Sequence, residues 1–388
     1  MAETVFIINN VLGGVASFCT NIMEGHPPDA PPQQAILLTD ASDEAPTIDG
    51  QFGENRKHSL KFSPNENQSH VLARLAATIP DGPGSIISNQ QMELALFSQQ
   101  PVDKTIFQVV HDEYNLRLSQ KYSKIIDVFV AHSQFYHERL RECLPDREES
   151  IFHLPYGIRL SSNQRKPADG PIRLVFLGRL TEAKGVLDLP KIEEGLRARG
   201  VATDWTVIGR GPCGDQLRAQ LPPSERIRYV SPSTNSEVLK HCATGDALVF
   251  PTRFEGFPVA LLEAMSAGLV PIVSDLESGV PEVVNERTGF RVAVGEVQGF
   301  IEAVQRLDSD RSTLEAMSAA SSSMASHFDI TERATAYHAL FSRHAQLKRP
   351  WSGPLQITHG SRLDAPYIPN VVSTSLRRTR SFLQSLKA

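Results

Sequence analysis

Cysteine is scarce: Cys19, Cys143, Cys213 and Cys242 are scattered through 388 residues with no C-x-x-C spacing. That fits reduced thiols in the cytosol better than a disulfide frame or a structural zinc site. No stretch approaches the roughly 18 consecutive apolar residues of a spanning helix. The N-terminus, MAETVFIINNVLGG, has Glu3 where a signal peptide would be basic, and Asn9 and Asn10 interrupt its apolar run. It reads as a first strand, and the protein is expected in the cytoplasm. A strong charge of either sign is also missing. The formal charge of −5 offers no general attraction to nucleic acid, so any anion site must be local.

What is present is ordinary for a soluble globular chain: 40% apolar and 21% charged residues. The length exceeds one typical core and implies two domains. Short apolar runs alternate with helical patterns twice over. The first set is TVFIIN (4–9), AILLT (35–39), SIIS (85–88), TIFQVV (105–110), IIDVFVA (125–131) and IFHL (151–154). The second is IRLVFLG (172–178), WTVIG (205–209), RIRYV (226–230), ALVFP (247–251), VPIVS (270–274) and GFRV (289–292). Continuous apolar strands separated by amphipathic segments indicate parallel sheets covered on both faces. The expected fold is α/β, two doubly wound Rossmann-like domains with a cleft at the carboxyl ends of their strands. The polar stretch 160–171 divides the two sets as a linker. This gives domains at 1–165 and 166–345 and a tail at 346–388 that docks back on the fold. Residues 41–66 lack periodicity and are expected to form a long loop.

Glycine and polar residues follow the strands. Gly13 and Gly14 in NNVLGGVASF let a phosphate approach the backbone at a helix start, although a tight turn alone would look the same. Arg179 and Lys184 in FLGRLTEAKG form a diphosphate receptor, or else a solvated basic loop. VIGRGP places Arg210 at a similar turn, with the same two readings. His111 and Asp112 follow a strand of the first half, where a ligand-facing or a structural histidine both fit.

The stretch FPTRFEGFPVALLEAMSAGLVPIVSD carries two carboxylates, Glu255 and Glu263. Pro258 suits the first helical position and Gly268 the stop, so a helix is expected from about Pro258 to Ala267. Its residues around Glu263 are apolar on every face, which predicts burial and demands a partner for the carboxylate. Eight helical residues rise about 12 Å, too far for the carboxylate pair of a glycosidase. The two glutamates are expected to grip different parts of one elongated ligand. Asp308-Ser-Asp310 has the D-x-D spacing of some metal sites, but between two helical patterns it reads as a cap. In the tail, Leu376, Phe382, Leu383 and Leu386 stand against Arg377, Arg378, Arg380 and Lys387. This composition suits an anionic membrane surface, which would place the protein peripherally at the inner membrane face; docking on the fold is the favoured reading.

Taken together, FLGRLTEAKG, the E-x7-E stretch, SGVPEVV and TGFRV resemble the retaining, nucleotide-sugar-dependent glycosyltransferases of the GT-B fold, family 4 (glycosyl transferases group 1). LGGVASF, VVHDEYN and DVFVAHSQFYHERL match more loosely. Two positions depart: the family's glycine after the third strand of its second domain is Ser231, and an acidic residue of its IG-x-G turn is Arg210. The resemblance implies transfer of a hexosyl-type sugar from a nucleoside-diphosphate sugar to a glycan, lipid-linked or small acceptor, without metal or other cofactor. It implies diphosphate binding by Arg179 and Lys184, ribose binding by Glu263 and sugar binding by Glu255. His111 would touch the sugar, and Gly13 and Gly14 would close over the phosphates. The helix start at Gly256, Phe257 and Val259 would face the donor, with the amides of Phe257, Val259 and Ala260 pointing outward. The alternatives are a nucleotide-sugar-binding scaffold without turnover and a sugar-nucleotide epimerase.

Overall fold

The computed structural model describes residues 2–372 except Leu12, 42–46, 49–51, 53–55, Pro64 and Asn370. The chain forms two compact units. Unit 1 comprises Met1–His132, Tyr136–Leu154 and Ala334–Ala388; unit 2 comprises Ser133–Phe135 and Pro155–Arg333. The chain therefore returns to unit 1 at Ala334, eleven residues before the second domain was expected to end.

Unit 1 is built on seven parallel strands: β1 (Glu3–Asn9), β2 (Gln33–Asp40), β3 (Lys57–Phe62), β4 (Gly84–Ser88), β5 (Thr105–Val110), β6 (Val128–Ala131) and β7 (Ile151–His153). Their order is β3-β2-β1-β4-β5-β6-β7, all pairings being parallel. The central strands are buried along nearly their whole length, as their unbroken apolar runs require. Strand β3 lies in the segment expected to be a loop. Its sequence KHSLKF buries only Leu60 and Phe62, and its exposed polar positions suit an edge strand that repels further pairing. The strand order reverses between β1 and β4, so the ligand-binding end of this sheet lies at their carboxyl termini.

Unit 2 has six parallel strands: β8 (Ile172–Leu177), β9 (Thr203–Ile208), β10 (Ile227–Val230), β11 (Ala247–Phe250), β12 (Val270–Ser274) and β13 (Phe290–Val292). Their order is β10-β9-β8-β11-β12-β13, which puts the switch point between β8 and β11. The stretch 160–171 is fastened to this unit by Arg165, which donates to Asp246 at 2.8 Å and to both carboxylate oxygens of Glu315 at 2.6 and 2.8 Å. Arg173 also holds Asp246, which sits at the amino end of β11. Removing one partner of a buried pair of this kind costs about 3–5 kcal/mol.

The described part of the tail does dock on unit 1. Lys348 Nζ donates to the Val102 and Lys104 carbonyls, the Arg349 amide to Asp127, and the Leu355 amide to the Ser98 carbonyl. Further on, Gln91 and Lys121 both donate to the His359 carbonyl at 2.7 Å, and the Ser69 amide donates to Pro366. The basic residues Arg377, Arg378, Arg380 and Lys387 lie outside the described residues.

Candidate functional site

In unit 2 the loop after β8 is pressed against the end of β11. Gly185 adopts φ 68° and a Cβ there would stand 1.8 Å from the Pro251 carbonyl oxygen, so only glycine permits this approach. The result sets Lys184 beside Glu255. Its ammonium donates to Glu255 Oε1, and Thr252 Oγ1 donates to the same oxygen at 3.3 Å. Both partners are largely sheltered, with 26% and 10% of their side chains exposed. Burial raises the pKa of Glu255, while the Lys184 charge and the two hydrogen bonds pull it back only in part. Arg179, five residues before Lys184, is exposed, and its guanidinium makes no ion pair or hydrogen bond with any described residue. Arg210 reaches back to the Ser231 carbonyl at 3.4 Å, at the outer limit of a hydrogen bond.

The helix expected from Pro258 to Ala267 runs from Val259 to Ser266. Pro258 is its N-cap, not its first residue, because φ −83° and ψ 80° lie outside the helical region. Gly268 ends it at φ 87°, and the Leu269 amide closes on the Ala264 carbonyl at 3.1 Å. The Val259 amide does not point outward as expected. It folds back to the Phe257 carbonyl at 3.0 Å. Gly256 is engaged through its carbonyl, which accepts from the Gly279 amide at 3.0 Å, and Phe257 is buried.

The helix is not sealed on every side either. Val259, Ala260 and Glu263 are partly open while Leu261, Leu262, Ala264, Met265 and Ser266 are buried. Glu263 already has a protein partner, Asn235, whose Nδ2 donates to Oε1 at 2.6 Å. Burial nonetheless lifts the Glu263 pKa to about 7, only partly offset by that bond.

At the switch point of unit 1, Gly13 and Gly14 are exposed at the start of the Gly14–Glu24 helix, with open space where a Cβ would be. His111 is committed on both ring nitrogens. Nε2 lies 2.8 Å from Asn89 Oδ1 and Nδ1 lies 3.0 Å from His132 Nε2. His132 Nδ1 in turn lies 2.8 Å from the Tyr337 hydroxyl. Asn89 donates its Nδ2 to the Ile7 carbonyl at 3.1 Å, which leaves Oδ1 as an acceptor and requires N–H on His111 Nε2. His111 Nδ1 is then an acceptor facing His132 Nε2, so the carboxamide sets the tautomer of His111.

Glu93 fixes the backbone of Asn89. Its Oε1 accepts from Ser88 Oγ and from the amides of Asn89 and Gln90 at 2.6–3.0 Å. Burial lifts its pKa to about 7 against those three donors and its own backbone. Burial, reinforced by the neighbouring His132, holds the pKa of His111 well below the usual histidine range, and burial depresses His132 to about 3.

Residues 171–310 match the family model described as glycosyl transferases group 1. This segment is a group 1 glycosyl transferase domain. Over 177 residues the chain is 33% identical to glycogen synthase of Mycobacterium tuberculosis, covering 44% of this chain and 42% of that protein. Over 165 residues it is 30% identical to the putative colanic acid biosynthesis glycosyltransferase WcaL of Escherichia coli, covering 39% of this chain and 40% of WcaL. The matches thus span less than half the length of these curated relatives. The fold is that of Anabaena HepE, solved in complex with UDP and glucose: TM-score 0.71, 16% identity, 88% of this chain and 100% of that one. Sucrose-phosphate synthase of Thermosynechococcus elongatus has the same fold, with TM-score 0.69, 16% identity, and 90% and 100% coverage. Two parallel-sheet units of this kind constitute the GT-B fold.

The group 1 glycosyl transferase domain contains Arg179, Lys184, Glu255 and Glu263, and its own fold brings Lys184 and Glu255 into contact. Gly13, Gly14 and His111 lie outside the matched span. Sequence reasoning missed Asn235, Asn89, Glu93 and His132. The pair Gln90 and Glu93, three apart at a helix start, is a local signal that could have pointed to the last turn of that framework. Nothing local marks Asn235 as the partner of Glu263. In Asp308-Ser-Asp310, Asp310 caps the Arg311–Ser326 helix through the Thr313 amide at 3.0 Å and Asp308 pairs with Arg311.

Proposed function

We propose that this chain is a retaining glycosyltransferase that moves a hexosyl-type sugar from a nucleoside-diphosphate sugar to an acceptor hydroxyl without metal. The observation that carries the reading is the contact of Lys184 with Glu255 beside exposed Arg179 at the switch point of a group 1 domain. Each charge there has a complement in the donor. The diphosphate offers negative charge to Arg179 and Lys184, and the sugar offers hydroxyl donors to Glu255. HepE, with UDP and glucose bound, supports the donor class.

In the reaction the bond from the anomeric carbon to the phosphate oxygen breaks and a bond to the acceptor oxygen forms. The acceptor proton passes to the departing diphosphate. Arg179 and Lys184 stabilise the negative charge growing on that diphosphate, which is the electrostatic work a divalent ion would otherwise do. Lys184 changes partner from Glu255 to the diphosphate, and Glu255 turns to the sugar hydroxyls. Glu263 accepts from the ribose alongside Asn235. His111 contacts the sugar as a neutral ring of fixed tautomer. Attack on the face the diphosphate leaves retains the anomeric configuration.

The test is to incubate the protein with UDP-, GDP- and ADP-sugars and follow release of the nucleoside diphosphate. One donor should turn over, and Glu255→Ala should abolish turnover with its melting temperature kept. Undiminished turnover in that variant overturns the assignment. An isomerised nucleotide sugar as the sole product would establish the epimerase, and donor binding with no turnover would establish the scaffold.

A further inference from the structure

One turn at the carboxyl edge of the unit 2 sheet is built around a single side chain. Gly209 follows β9 at φ 141°, and a Cβ there would stand 1.9 Å from the Gly178 carbonyl oxygen. A Cβ at Gly211 would stand 2.4 Å from the Leu180 carbonyl oxygen. The two glycines let this turn lie directly on the loop after β8, and only Arg210 between them projects a side chain. Its backbone is fixed. The Arg210 carbonyl accepts from the Leu180 amide at 2.9 Å, and the Gly209 amide beside it donates to the Val230 carbonyl at 3.0 Å. The guanidinium is not fixed in the same way. It is exposed, and among the described residues it has no ion pair and one hydrogen bond, from Nη2 to the Ser231 carbonyl at 3.4 Å.

The strand order β10-β9-β8-β11 places this side chain relative to the donor. Glu255 follows β11, Arg179 follows β8, Arg210 follows β9 and Asn235 follows β10. The amide that holds the Arg210 carbonyl belongs to the peptide joining Arg179 to Leu180, so Arg210 is the neighbour of Arg179 on the side away from Glu255. A ligand with its sugar at Glu255 and its diphosphate at Arg179 therefore extends its nucleoside toward β9 and β10. Glu263, the acceptor for the ribose, is bonded to Asn235 on that same side.

A guanidinium presents its N–H donors in a planar fork, which matches two acceptors lying side by side. Guanine offers such a pair in O6 and N7. Adenine sets an amino donor beside N7, cytosine shows an amino donor, and uracil has O4 alone on that edge. We propose that Arg210 reads the base of the donor and selects guanine, so that the co-substrate is a guanosine-diphosphate sugar. The long bond to the Ser231 carbonyl is given up for two bonds to the base, while the glycine-held backbone keeps the fork in place. The inference rests on the transferase reading of this site, and its test needs no acceptor and no turnover.

The experiment is titration calorimetry of GDP, IDP, 7-deaza-GDP, ADP and UDP into the parent, Arg210→Ala and Arg210→Lys, with melting temperature as the control for folding. The parent should bind GDP about 10–100-fold more tightly than ADP or UDP, with IDP, which keeps O6 and N7, nearest to GDP. 7-Deaza-GDP, which lacks N7, should bind the parent more weakly than GDP does, and the two should bind Arg210→Ala equally. Arg210→Ala should lose the preference for guanine while still binding diphosphates through Arg179 and Lys184. Arg210→Lys keeps the charge without the fork and should lose the preference as well. A parent without a preference for guanine, or a preference that survives in Arg210→Ala, overturns the proposal and leaves the transferase reading standing. An equal loss of affinity for every diphosphate in Arg210→Ala assigns Arg210 to the phosphates and also overturns it. A parent that binds none of the diphosphates overturns the transferase reading itself, and this inference with it.

Discussion

At the switch point of unit 2, charged side chains are held by at most two partners that a ligand can replace, whereas at the switch point of unit 1 the polar side chains are locked by several. Lys184 and Glu255 neutralise each other, Glu263 has one amide donor and Arg179 has no described partner. His111 is bonded on both nitrogens and Asn89 on its carbonyl, amide and backbone, with Glu93 beneath. The first arrangement can exchange an internal ion pair for a ligand with little reorganisation. The second presents a neutral surface of fixed geometry. The proton of His111 is placed by a carboxamide rather than by pH, because both histidines are held far below their usual pKa.

The comparison breaks most sharply at Glu255. Removing its carboxylate deletes a contact that burial strengthens, and Glu255→Ala should lower turnover by at least about 100-fold. The check is steady-state release of nucleoside diphosphate, with melting temperature as the control. Next is Lys184→Met, which removes a charge-assisted contact and should weaken donor affinity by about 10–100-fold in titration calorimetry. The same variant has a signature in pH. Lys184 lowers the Glu255 pKa, so without it the carboxyl ionises at higher pH, and the acidic limb of the activity profile should move upward.

In unit 1 the expected effect is on structure before chemistry. Asn89→Ala leaves the Ile7 carbonyl and His111 Nε2–H without partners in a buried site, costing about 1–3 kcal/mol for each. Denaturant unfolding measures the loss, and nitrogen shifts of the His111 ring should show its tautomer released.

The smallest effect sharpens the comparison within unit 2. Glu263 has a folded pKa of about 7 against 4.5 as its ordinary value. Its protonated form is favoured by folding, so stability is complete below about pH 4.5 and declines as pH rises to 7. Glu263→Gln keeps an acceptor for Asn235 and removes that decline. It should melt about 2–4 °C higher than the parent at pH 8 and equally at pH 4, while binding donor less well.

Much of unit 2 was readable because its determinants are local. Gly268 marked the end of the Val259–Ser266 helix to within a residue, and the apolar runs before Arg179 and Glu255 located the strands that carry them. Pro258 was misplaced by one position because a proline suits the cap as well as the first turn. Strand β3 escaped notice because an edge strand needs little apolar sequence. The framework around His111 was hidden for another reason. Asn89, His132 and Tyr337 are separated by tens to hundreds of residues and meet only when β4, β6 and the returning Ile330–Phe341 helix are assembled. The same holds for Asn235 and Glu263, 28 residues apart.

The central claim is that Arg179 and Lys184 together receive a diphosphate. Titration of UDP, GDP and ADP and of their monophosphates into the parent and into the double variant Arg179→Ala with Lys184→Ala tests it directly. The account predicts that one diphosphate binds the parent far more tightly than its monophosphate and that the double variant loses this preference. Equal binding of mono- and diphosphate by the parent, or a preference that survives in the double variant, would contradict it.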